Sequence, residues 1–360
     1  MRATEAFLLG DADEHRCAGV GDLVHRVAEA GHEVLGVTLQ LYDHGAATGR
    51  KGACCAGQDI HDARRVADHL GIPHYVIDAE ARFRKAVMDD FAASYAAGQT
   101  PVPCVRCNQS VKFTDLMQLA GDLGCERLAT GHYVRRVDGP DGAELHRAAD
   151  PARDQSWFLF ATTAQQLARS LFPLGDMADK ATVRATAERL GLQVAAKPDS
   201  QDLCFVPSGG YADILGKLRP DALAPGEIVA EDGALLGRHD GIGRFTVGQA
   251  KRLGAAQNGH RVVVALDPAT RRVVVGPASA GRQEIRLREV NWLVPAAPFA
   301  CTVKLRAREA PHPAEVTPTE DGALVRLATP ALAAPGQACV FYEGDRGLGG
   351  GFIQKEAVLF

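Results

Sequence analysis

The spacing of hydrophobic and polar positions divides the chain into two parts. Up to about residue 205, apolar runs of strand length alternate with segments in which apolar residues recur every three or four positions. Residues 33–41 read as a buried strand, and a helix is predicted to begin at Asp59 and to stop before Gly71 and Pro73. This alternation predicts an α/β fold with a parallel sheet covered by helices.

The same alternation continues to residue 130. It predicts strands at 74–78 and 127–130, a helix over 81–97, and a further helix after Asn108. Ligands bind beyond the carboxyl ends of the strands in a doubly wound sheet. The residues directly after strand 127–130 are therefore natural ligand contacts, although position alone fits a plain turn equally well.

After about residue 206 the pattern changes to short β-branched runs separated by turn residues. Strands are predicted at 261–266, 272–275, 301–305, 323–328 and 337–342. Such runs are typical of a small barrel or sandwich, and Pro295–Pro298 is predicted to be a linker. The second half is therefore expected to be mostly β.

Composition narrows the class of protein. With 360 residues, 46% hydrophobic and 23% charged, the chain is typical of a soluble globular protein of two or three domains. No signal peptide and no run of eighteen apolar residues is found, which predicts a cytoplasmic protein with no membrane contact. The formal charge of −4 does not by itself indicate a nucleic-acid binder. Lys304, Arg306 and Arg308 nevertheless alternate, so they are predicted to share one strand face suited to phosphates, or to form an ordinary solvated face.

Two of the nine cysteines lie in polar surroundings, as reactive thiols do. Cys107 and Cys204 are 97 residues apart (204 − 107). A helix starting after Asn108 would lower the pKa of the Cys107 thiol and favour a nucleophilic thiolate. The Cys-x-x-Cys at 104–107 also permits a zinc site or a redox pair, but a structural zinc needs four ligands and no second such motif follows. An odd number of sparse cysteines predicts reduced thiols, with the others as small apolar residues.

Six short motifs, in order along the chain, resemble those of one known family. They are Thr-Pro-Val-Pro-Cys-Val-Arg-Cys-Asn at 100–108, Ala-Thr-Gly-His-Tyr at 129–133, Asp-Pro-Ala-Arg-Asp-Gln-Ser-Trp-Phe-Leu at 150–159, Asp-Ser-Gln-Asp-Leu-Cys-Phe at 199–205, Phe-Thr-Val-Gly-Gln at 245–249, and Pro-Gly-Gln with Leu-Gly-Gly-Gly at 335–337 and 348–351. Over about residues 30–360 the chain is similar to the tRNA-specific 2-thiouridylases, the MnmA/TrmU family.

This resemblance implies a fold and an activity. The fold would be a parallel-sheet adenine-nucleotide-binding domain (PP-loop, Rossmann-like) at 1–205, a central β-rich domain at 206–280, and a C-terminal β-barrel that contacts tRNA at 281–360. Members use ATP, which needs Mg²⁺ to screen its phosphates, to adenylate the wobble uridine of certain tRNAs at its 2-oxygen. A persulfide, supplied by a sulfur donor protein, then replaces this oxygen with sulfur.

The resemblance also implies residue roles. Cys204 would carry the persulfide and Cys107 would be the partner nucleophile, the two forming a transient disulfide as sulfur is released. Leu39 and Gly131 would hold the adenine nucleotide. Contacts to tRNA would come from His132, Arg153, Asp154, Gln155, Arg306 and Gln337.

One expected motif is missing near the N-terminus. Relatives follow their first strand with Ser-Gly-Gly-Val-Asp-Ser-Ser, whose amides and hydroxyls grip the ATP pyrophosphate. Here residues 15–21 read His-Arg-Cys-Ala-Gly-Val-Gly, and the acidic Asp11, Asp13 and Glu14 would repel a polyphosphate unless magnesium intervened. Three interpretations stay open: a rewritten loop that still binds ATP weakly, a protein that has lost adenylation, or a locally corrupted reading frame in an otherwise ordinary enzyme.

Two rival functions belong to other classes. A non-catalytic tRNA-binding protein would bind tRNA without releasing AMP. An adenylating amidotransferase would need a glutamine-hydrolysing or ammonia-channel module, and the sequence contains no such module. In that enzyme the paired cysteines would also be idle.

Overall fold

The protein folds into two compact units. The computed structural model describes residues 4–8, 31–42, 55–192, 203–206, 210–251, 253–254 and 261–355, with the backbone alone at 4–8 and 55–59. The first unit comprises Met1–Ala86, Cys104–Pro207 and Asp345–Gly347. The second comprises Val87–Pro103, Ser208–Gly344 and Leu348–Phe360. Residues 87–103 thus belong to the second unit, although they lie early in the chain.

The first unit is built on a parallel sheet. Its strands, with those of a hairpin beside it, are β1 (Thr4–Leu8), β2 (Glu33–Gln40), β3 (His74–Asp78), β4 (Cys125–Ala129), β5 (Val134–Gly139), β6 (Gly142–Arg147) and β7 (Ser170–Leu171). The sheet order is β3-β2-β1-β4-β7, and all pairs are parallel. The predicted parallel sheet and its strands at 33–41, 74–78 and 127–130 are confirmed to within two residues at either end. Strands β2 and β3 are added on one side of β1, and β4 and β7 on its other side, so the strand order reverses between β1 and β4. Doubly wound α/β proteins bind ligands at such a point.

The α-helices of the described residues belong to both units, α3 and α8 to the second. They are α1 (Cys55–Leu70), α2 (Glu80–Phe83), α3 (Asp89–Ala96), α4 (Pro103–Arg106), α5 (Met117–Asp122), α6 (Ala164–Ala168), α7 (Lys180–Arg189) and α8 (Tyr211–Leu218), with π-helical turns at Arg84–Met88 and Cys107–Leu116. Ala63 and Ala67 of α1 pack on Val34 and Ala129 of the sheet, so small side chains bring this helix close to the strands. The helix predicted to start at Asp59 begins at Cys55.

The helix that carries Cys107 begins earlier than predicted. The helical turns α4, Cys107–Leu116 and α5 follow one another without a break, and we call this stretch, residues 103–122, the Cys107 helix. The prediction placed its start after Asn108, which is wrong. Pro103 is the first helical residue, where its fixed φ suits a helix and its missing N–H costs nothing.

The second unit contains a four-stranded sheet. Its strands are β8 (Gly226–Ala230), β9 (Leu235–His239), β10 (Arg261–Asp267) and β11 (Arg272–Pro277), in the order β10-β11-β8-β9. Val263, Leu266, Val273 and Val275 form much of its core with Ile228. These β-branched runs confirm the predicted change to β structure in this part of the chain.

A closed six-stranded barrel ends the second unit. Its strands are β12 (Arg282–Trp292), β13 (Phe299–Lys304), β14 (His312–Thr319), β15 (Gly322–Ala331), β16 (Ala338–Glu343) and β17 (Arg346–Ile353). The order is β12-β15-β14-β13-β16-β17, and β12 also pairs with β17, which closes the barrel. The expected barrel is confirmed, but Pro295–Pro298 is a loop between two barrel strands and not a linker.

The Leu-Gly-Gly-Gly motif at 348–351 belongs to this closure. Gly349 has φ +126°, and a Cβ there would lie 2.1 Å from the carbonyl oxygen of Asn291 on β12. A Cβ on Gly351 would lie 2.8 Å from the Val290 side chain. The glycines therefore let β17 approach β12 closely enough to pair with it.

Candidate functional site

Leu39 and Gly131 lie at the ends of the two strands that border β1. The last described residue of β1, Leu8, pairs with Val37 of β2, and on the other side Phe7 pairs with Ala129 of β4. Leu39 and Gly131 each lie two residues beyond these last described partners. Both predicted nucleotide contacts therefore lie at the carboxyl edge of the sheet, on either side of the line of β1.

Backbone alternation turns Leu39 toward the line of β1. Gly36 N–H donates to Pro73 O (2.8 Å) and Gln40 O accepts from Ala79 N–H (2.9 Å), so both of these β2 residues face β3. Successive residues of a strand direct their backbone groups to opposite sides. The N–H and C=O of Leu39 consequently face the line of β1, while its side chain is buried.

Gly131 has few neighbours among the described residues. A Cβ added there would meet, among the described residues, only the Leu174 side chain at 3.7 Å, an ordinary contact. Its φ is also outside the left-handed region, so the backbone itself does not require glycine. The absence of a side chain therefore leaves room for a group that approaches the backbone closely.

His132 is buried and not presented at the surface. Its side chain is 1% exposed, and its ring lies 6.0 Å from that of Phe113 and 6.4 Å from that of Phe172. Nδ1 and the Thr130 hydroxyl are hydrogen-bonded at 2.8 Å. The imidazole thus packs between the loop after β4 and the Cys107 helix. Its contact with tRNA stays a prediction.

The turn at 150–155 is held by the side chains of two predicted tRNA contacts. The Asp154 carboxylate accepts from the Ser156 N–H and hydroxyl, both at 3.0 Å, and from Ala148 N–H at 3.3 Å. Gln155 Oε1 accepts from Tyr133 N–H at 2.9 Å. Asp154 and Gln155 therefore shape this turn, and Arg153 extends from it as a partly exposed cation.

Cys107 lies one turn inside its helix, with its side chain 6% exposed. Because the helix begins at Pro103, the exposed Cys104 and not Cys107 occupies the first turn, where the helix dipole acts most strongly. The residue after Cys107, Asn108, is hydrogen-bonded to the segment that follows the turn at 150–155, since its Nδ2 donates to Phe158 O at 3.1 Å. Its buried Oδ1 accepts no hydrogen bond from the described residues.

An aromatic anchor holds the segment that carries Cys204. Phe205 is 3% exposed and its ring meets that of Phe83 edge-on at 5.8 Å. Phe83, which is fully buried, also lies 6.3 Å from the Tyr42 ring. Cys204 stays partly exposed beside this anchor. The sequence therefore places a large apolar residue next to the thiol to fix a short loop.

One ion pair joins the structures that hold the two cysteines. Arg82, adjacent to Phe83 on α2, donates to the Asp115 carboxylate of the Cys107 helix at 2.6 and 3.3 Å. The anchor of the Cys204 segment and the helix bearing Cys107 are therefore neighbours within the first unit. Residues 193–202, which precede Cys204, lie outside the described residues, as does the unmatched loop at 15–21.

The predicted basic strand face in the barrel is wrong. Strand β13 ends at Lys304, and the next residues form a turn in which Glu309 Oε1 accepts from the N–H groups of Leu305 and Arg306. Lys304 Nζ donates to Ala307 O at 2.6 Å. Arg306 and Arg308 therefore belong to a loop, because a local carboxylate offers the backbone a better arrangement than a continued strand.

Gln337 is engaged within the second unit. Its Nε2 donates to Thr100 O at 3.2 Å, and Thr100 N–H donates to Pro335 O at 2.7 Å. Gly336, with φ +86°, would bring a Cβ to 3.0 Å from the same carbonyl oxygen. The Pro-Gly-Gln motif is thus hydrogen-bonded to both backbone groups of Thr100, the first residue of the motif that leads to Cys107.

Three other thiols fit the prediction of small apolar residues. Burial raises the pKa of Cys125, raises that of Cys301 to about 12, and raises that of Cys339 strongly. A thiol with a raised pKa is a poor nucleophile at neutral pH. Cys17 and Cys54 lie outside the described residues.

The described residues contain neither a ready metal site nor a membrane-spanning helix. No group of three or more His, Cys, Asp or Glu side chains in the described part of the chain is arranged to hold a metal ion. Among the helices that the structure describes, none is both long and apolar enough to cross a membrane.

Sequence reasoning missed several supporting residues. Phe205 and Asn108 stand directly beside the two cysteines, and their neighbours in sequence gave the only available signal. The partners of Phe205 and Asn108, the Phe83 ring and Phe158 O, come from distant parts of the chain, which local patterns do not reveal.

Family models match the chain in three consecutive parts. Residues 20–208 match the tRNA methyl transferase HUP domain, 212–277 match the tRNA methyl transferase PRC-barrel domain, and 282–353 match the aminomethyltransferase beta-barrel domain. The fold and its sites thus define a HUP-domain protein with a PRC-barrel and a C-terminal β-barrel.

Curated relatives give the particular family. The chain is 72% identical to the tRNA-specific 2-thiouridylase MnmA of Acidiphilium cryptum over 98% of this chain and 100% of the relative. It is 61% identical to that of Gluconobacter oxydans, over 90% of this chain and 92% of the relative, and 59% identical to that of Rhodospirillum centenum, over 91% and 86%. The chain belongs to the tRNA-specific 2-thiouridylase (MnmA) family. A solved NMN synthetase from Francisella tularensis has a TM-score of 0.35 at 16% identity over 61% of this chain and 78% of that chain.

Proposed function

We propose that this protein uses ATP to thiolate the wobble uridine of tRNA at its 2-position, through adenylation and persulfide transfer. The observation that carries the proposal is that the first unit contains both cysteine sites, on structures joined by the pair of Arg82 and Asp115. Family membership at 72% identity supports the same reaction.

The described residues fit an adenine nucleotide at the end of β1. Leu39 turns its backbone N–H and C=O toward the line of β1, as recognition of a base edge requires, and on the other side of that line Gly131 adds no side chain. ATP would supply the adenylyl group that converts the 2-oxygen of uridine into a leaving group. Mg²⁺ is proposed only as the partner of the ATP phosphates.

The two cysteines divide the sulfur chemistry. A persulfide on Cys204 attacks C2 of the activated uridine through its terminal sulfur, and AMP leaves with the oxygen. The Cys107 thiolate then attacks the Cys204 sulfur, which breaks the sulfur–sulfur bond and leaves the terminal sulfur on the base. The products are 2-thiouridine and a disulfide between Cys107 and Cys204. Two electrons from a thiol reductant and a new sulfur atom from a donor protein reset the site.

The tRNA would be held by residues of both units. We retain His132, Arg153, Asp154, Gln155, Arg306 and Gln337 as the proposed contacts. Arg153 and Arg306 are the cations among them and suit backbone phosphates. The hydrogen bonds of Asp154, Gln155 and Gln337 within the protein support a positioning role for their side chains, which would leave backbone groups to meet the tRNA.

The proposed domain boundaries are 1–205, 206–280 and 281–360, and the family matches that end at 208 and 277 support them. We place the reaction in the cytoplasm, where its tRNA substrate is found. No observation on the described residues favours a non-catalytic tRNA binder.

One assay tests the proposal. The purified protein is incubated with MgATP, a persulfide source and unmodified tRNA, and both AMP release and 2-thiouridine are measured by nucleoside mass spectrometry. We expect both products. Binding of tRNA with neither product would overturn the proposal and indicate a binder. Activity that survives in Cys204→Ser would exclude persulfide transfer by this residue.

A further inference from the structure

One side-chain oxygen beside Cys107 is buried without a donor. Asn108 follows Cys107 directly in the Cys107 helix, and its side chain is 4% exposed. Its Nδ2 donates to Phe158 O at 3.1 Å, whereas its Oδ1 accepts no hydrogen bond from the described residues. A buried carbonyl oxygen without a donor costs free energy, which the N–H group of a ligand would recover.

The hydrogen bond to Phe158 decides which way the amide faces. A backbone carbonyl can only accept, so the NH₂ end of the Asn108 amide faces Phe158 O. The oxygen end therefore points away from that carbonyl. What the amide offers a ligand is an acceptor and not a donor.

The partner of this amide is itself held in place. Phe158 lies in a short 3₁₀ helix, Ser156–Leu159, whose first residue donates to the Asp154 carboxylate through both its N–H and its hydroxyl at 3.0 Å. Phe158 N–H donates to Gln155 O at 2.9 Å. Because its partner is fixed, the Asn108 amide is preorganised and binding a ligand would order it little further.

The reaction proposed for Cys107 brings the target base to this part of the helix. When the Cys107 thiolate attacks the Cys204 sulfur, only two sulfur atoms separate it from C2 of the uracil. The Cα atoms of Cys107 and Asn108 are ~3.8 Å apart, as across any trans peptide. Cys107 is 6% exposed, so the movement that opens it to sulfur transfer also opens the neighbouring Asn108.

The uracil ring carries a single N–H group, and it is bonded to the reacting carbon. N3–H lies between C2 and C4, whose oxygens are both acceptors that Oδ1 would repel. Cytosine has no hydrogen at N3 and presents a lone pair there. Unstacked bases are read along this edge, so a buried acceptor would favour uracil over cytosine.

We propose that Asn108 Oδ1 accepts a hydrogen bond from N3–H of the target uracil and so selects uridine against cytidine at the wobble position. The contact belongs to the bound substrate before adenylation, because N3 releases its proton to solvent when the 2-oxygen takes up the adenylyl group. The inference rests on the proposed function, which supplies the base and the role of Cys107.

Binding of tRNA without ATP tests the selection on the unaltered protein. Filter binding compares tRNAs that carry uridine, cytidine or 3-methyluridine at the wobble position, the last of which differs from uridine only at N3. We expect the uridine form to bind about tenfold more tightly than either of the others. Equal affinity for the three overturns this inference and leaves the proposed function standing. No binding of any tRNA overturns both.

Variants assign the preference to Asn108. Asn108→Leu removes the acceptor at similar volume, and we expect the preference for uridine over cytidine to fall to within about twofold. Asn108→Asp keeps an acceptor oxygen and should retain most of the preference. Gln118→Ala, which removes an exposed amide from the same helix, is the matched control and should keep all of it. A tenfold preference that survives in Asn108→Leu overturns the assignment. A urea titration shows whether each variant is folded, and the comparison of the three tRNAs on the unaltered protein needs no variant.

Discussion

The guanidinium of Arg306 lies directly over Gly248. A Cβ built on this glycine would lie 2.2 Å from Arg306 Nη2, and the same nitrogen donates to Val247 O at 3.3 Å. Gly248 also has φ +89°, which L side chains rarely adopt. The Phe-Thr-Val-Gly-Gln motif at 245–249 thus packs against, and hydrogen-bonds to, the arginine that is proposed to contact tRNA.

Gly248→Ala should therefore act through Arg306. The added methyl displaces the guanidinium, and we expect tRNA affinity to fall about as far as in Arg306→Ala, roughly tenfold, with the salt slope reduced by about 1. Filter binding over a salt series checks this. Gly237→Ala is the matched control, because its Cβ would meet only Ile228 at 4.0 Å.

A double-variant cycle decides whether the two residues share one role. If Gly248→Ala adds nothing to Arg306→Ala, the glycine positions the arginine. Additive losses would contradict this relationship and would attribute the glycine effect to the fold. A thermal melt separates the roughly 1–2 kcal/mol that an alanine costs at positive φ from the change in binding.

The two cysteines should fail in different ways. Cys204→Ser is expected to release AMP but to form no 2-thiouridine, because no persulfide can be carried. Cys107→Ser should accumulate tRNA joined to Cys204 through the transferred sulfur, which mass spectrometry of the intact protein detects and a thiol reductant releases. Cys104→Ser is the control on the same helix and should retain activity. Loss of activity in this control would instead support a redox pair at 104–107.

Local sequence predicted the strands well but the roles of polar side chains poorly. The apolar runs at 33–41 and 74–78 form the strands expected of them, and the run at 33–40 is largely buried, as in a parallel strand covered by helices. Asp154 and Gln155 stand in a motif associated with tRNA, yet their side chains bond to Ser156 and Tyr133. Such partners are decided by tertiary geometry, which the spacing of residues along the chain does not contain.

Phe205→Ala should uncouple sulfur transfer from adenylation. Without the ring that meets Phe83, the segment carrying Cys204 loses its anchor. We expect 2-thiouridine formation to slow at least about tenfold while AMP release stays within about twofold. Phe205→Leu, which keeps much of the apolar volume, should retain most activity. An equal fall in both products would indicate general destabilisation, which a urea titration would show.

Gly349→Ala should destabilise the barrel. The variant combines a backbone at φ +126° with a Cβ only 2.1 Å from Asn291 O, so the pairing of β17 with β12 must shift. We expect a loss of about 3 kcal/mol or more in the free energy of unfolding. Gly347→Ala, whose Cβ would meet Leu145 O at 3.4 Å, should cost less than about 1 kcal/mol. Equal unfolding midpoints for the two variants would contradict this account.

Some errors of the sequence analysis have simple physical causes. The predicted helix excludes Pro103, although proline is well accommodated at a first helical position. The alternating Lys304 and Arg306 indicated one strand, but Glu309 captures the backbone N–H groups and ends it. In both cases a competing local interaction outweighed the periodic pattern.

The hydrogen bond from Gln337 Nε2 to Thr100 O joins two residues that lie 237 positions apart in the sequence. During synthesis, Thr100 leaves the ribosome long before the loop that satisfies its N–H and C=O is made, an interval of roughly 10–50 s at ~5–20 residues per second. The residues that lead into the Cys107 helix are therefore secured only after Gln337 has been made. A nascent or prematurely terminated chain would present Cys107 without this restraint, so the order of synthesis itself delays the assembly of a thiol that could react with the wrong partner.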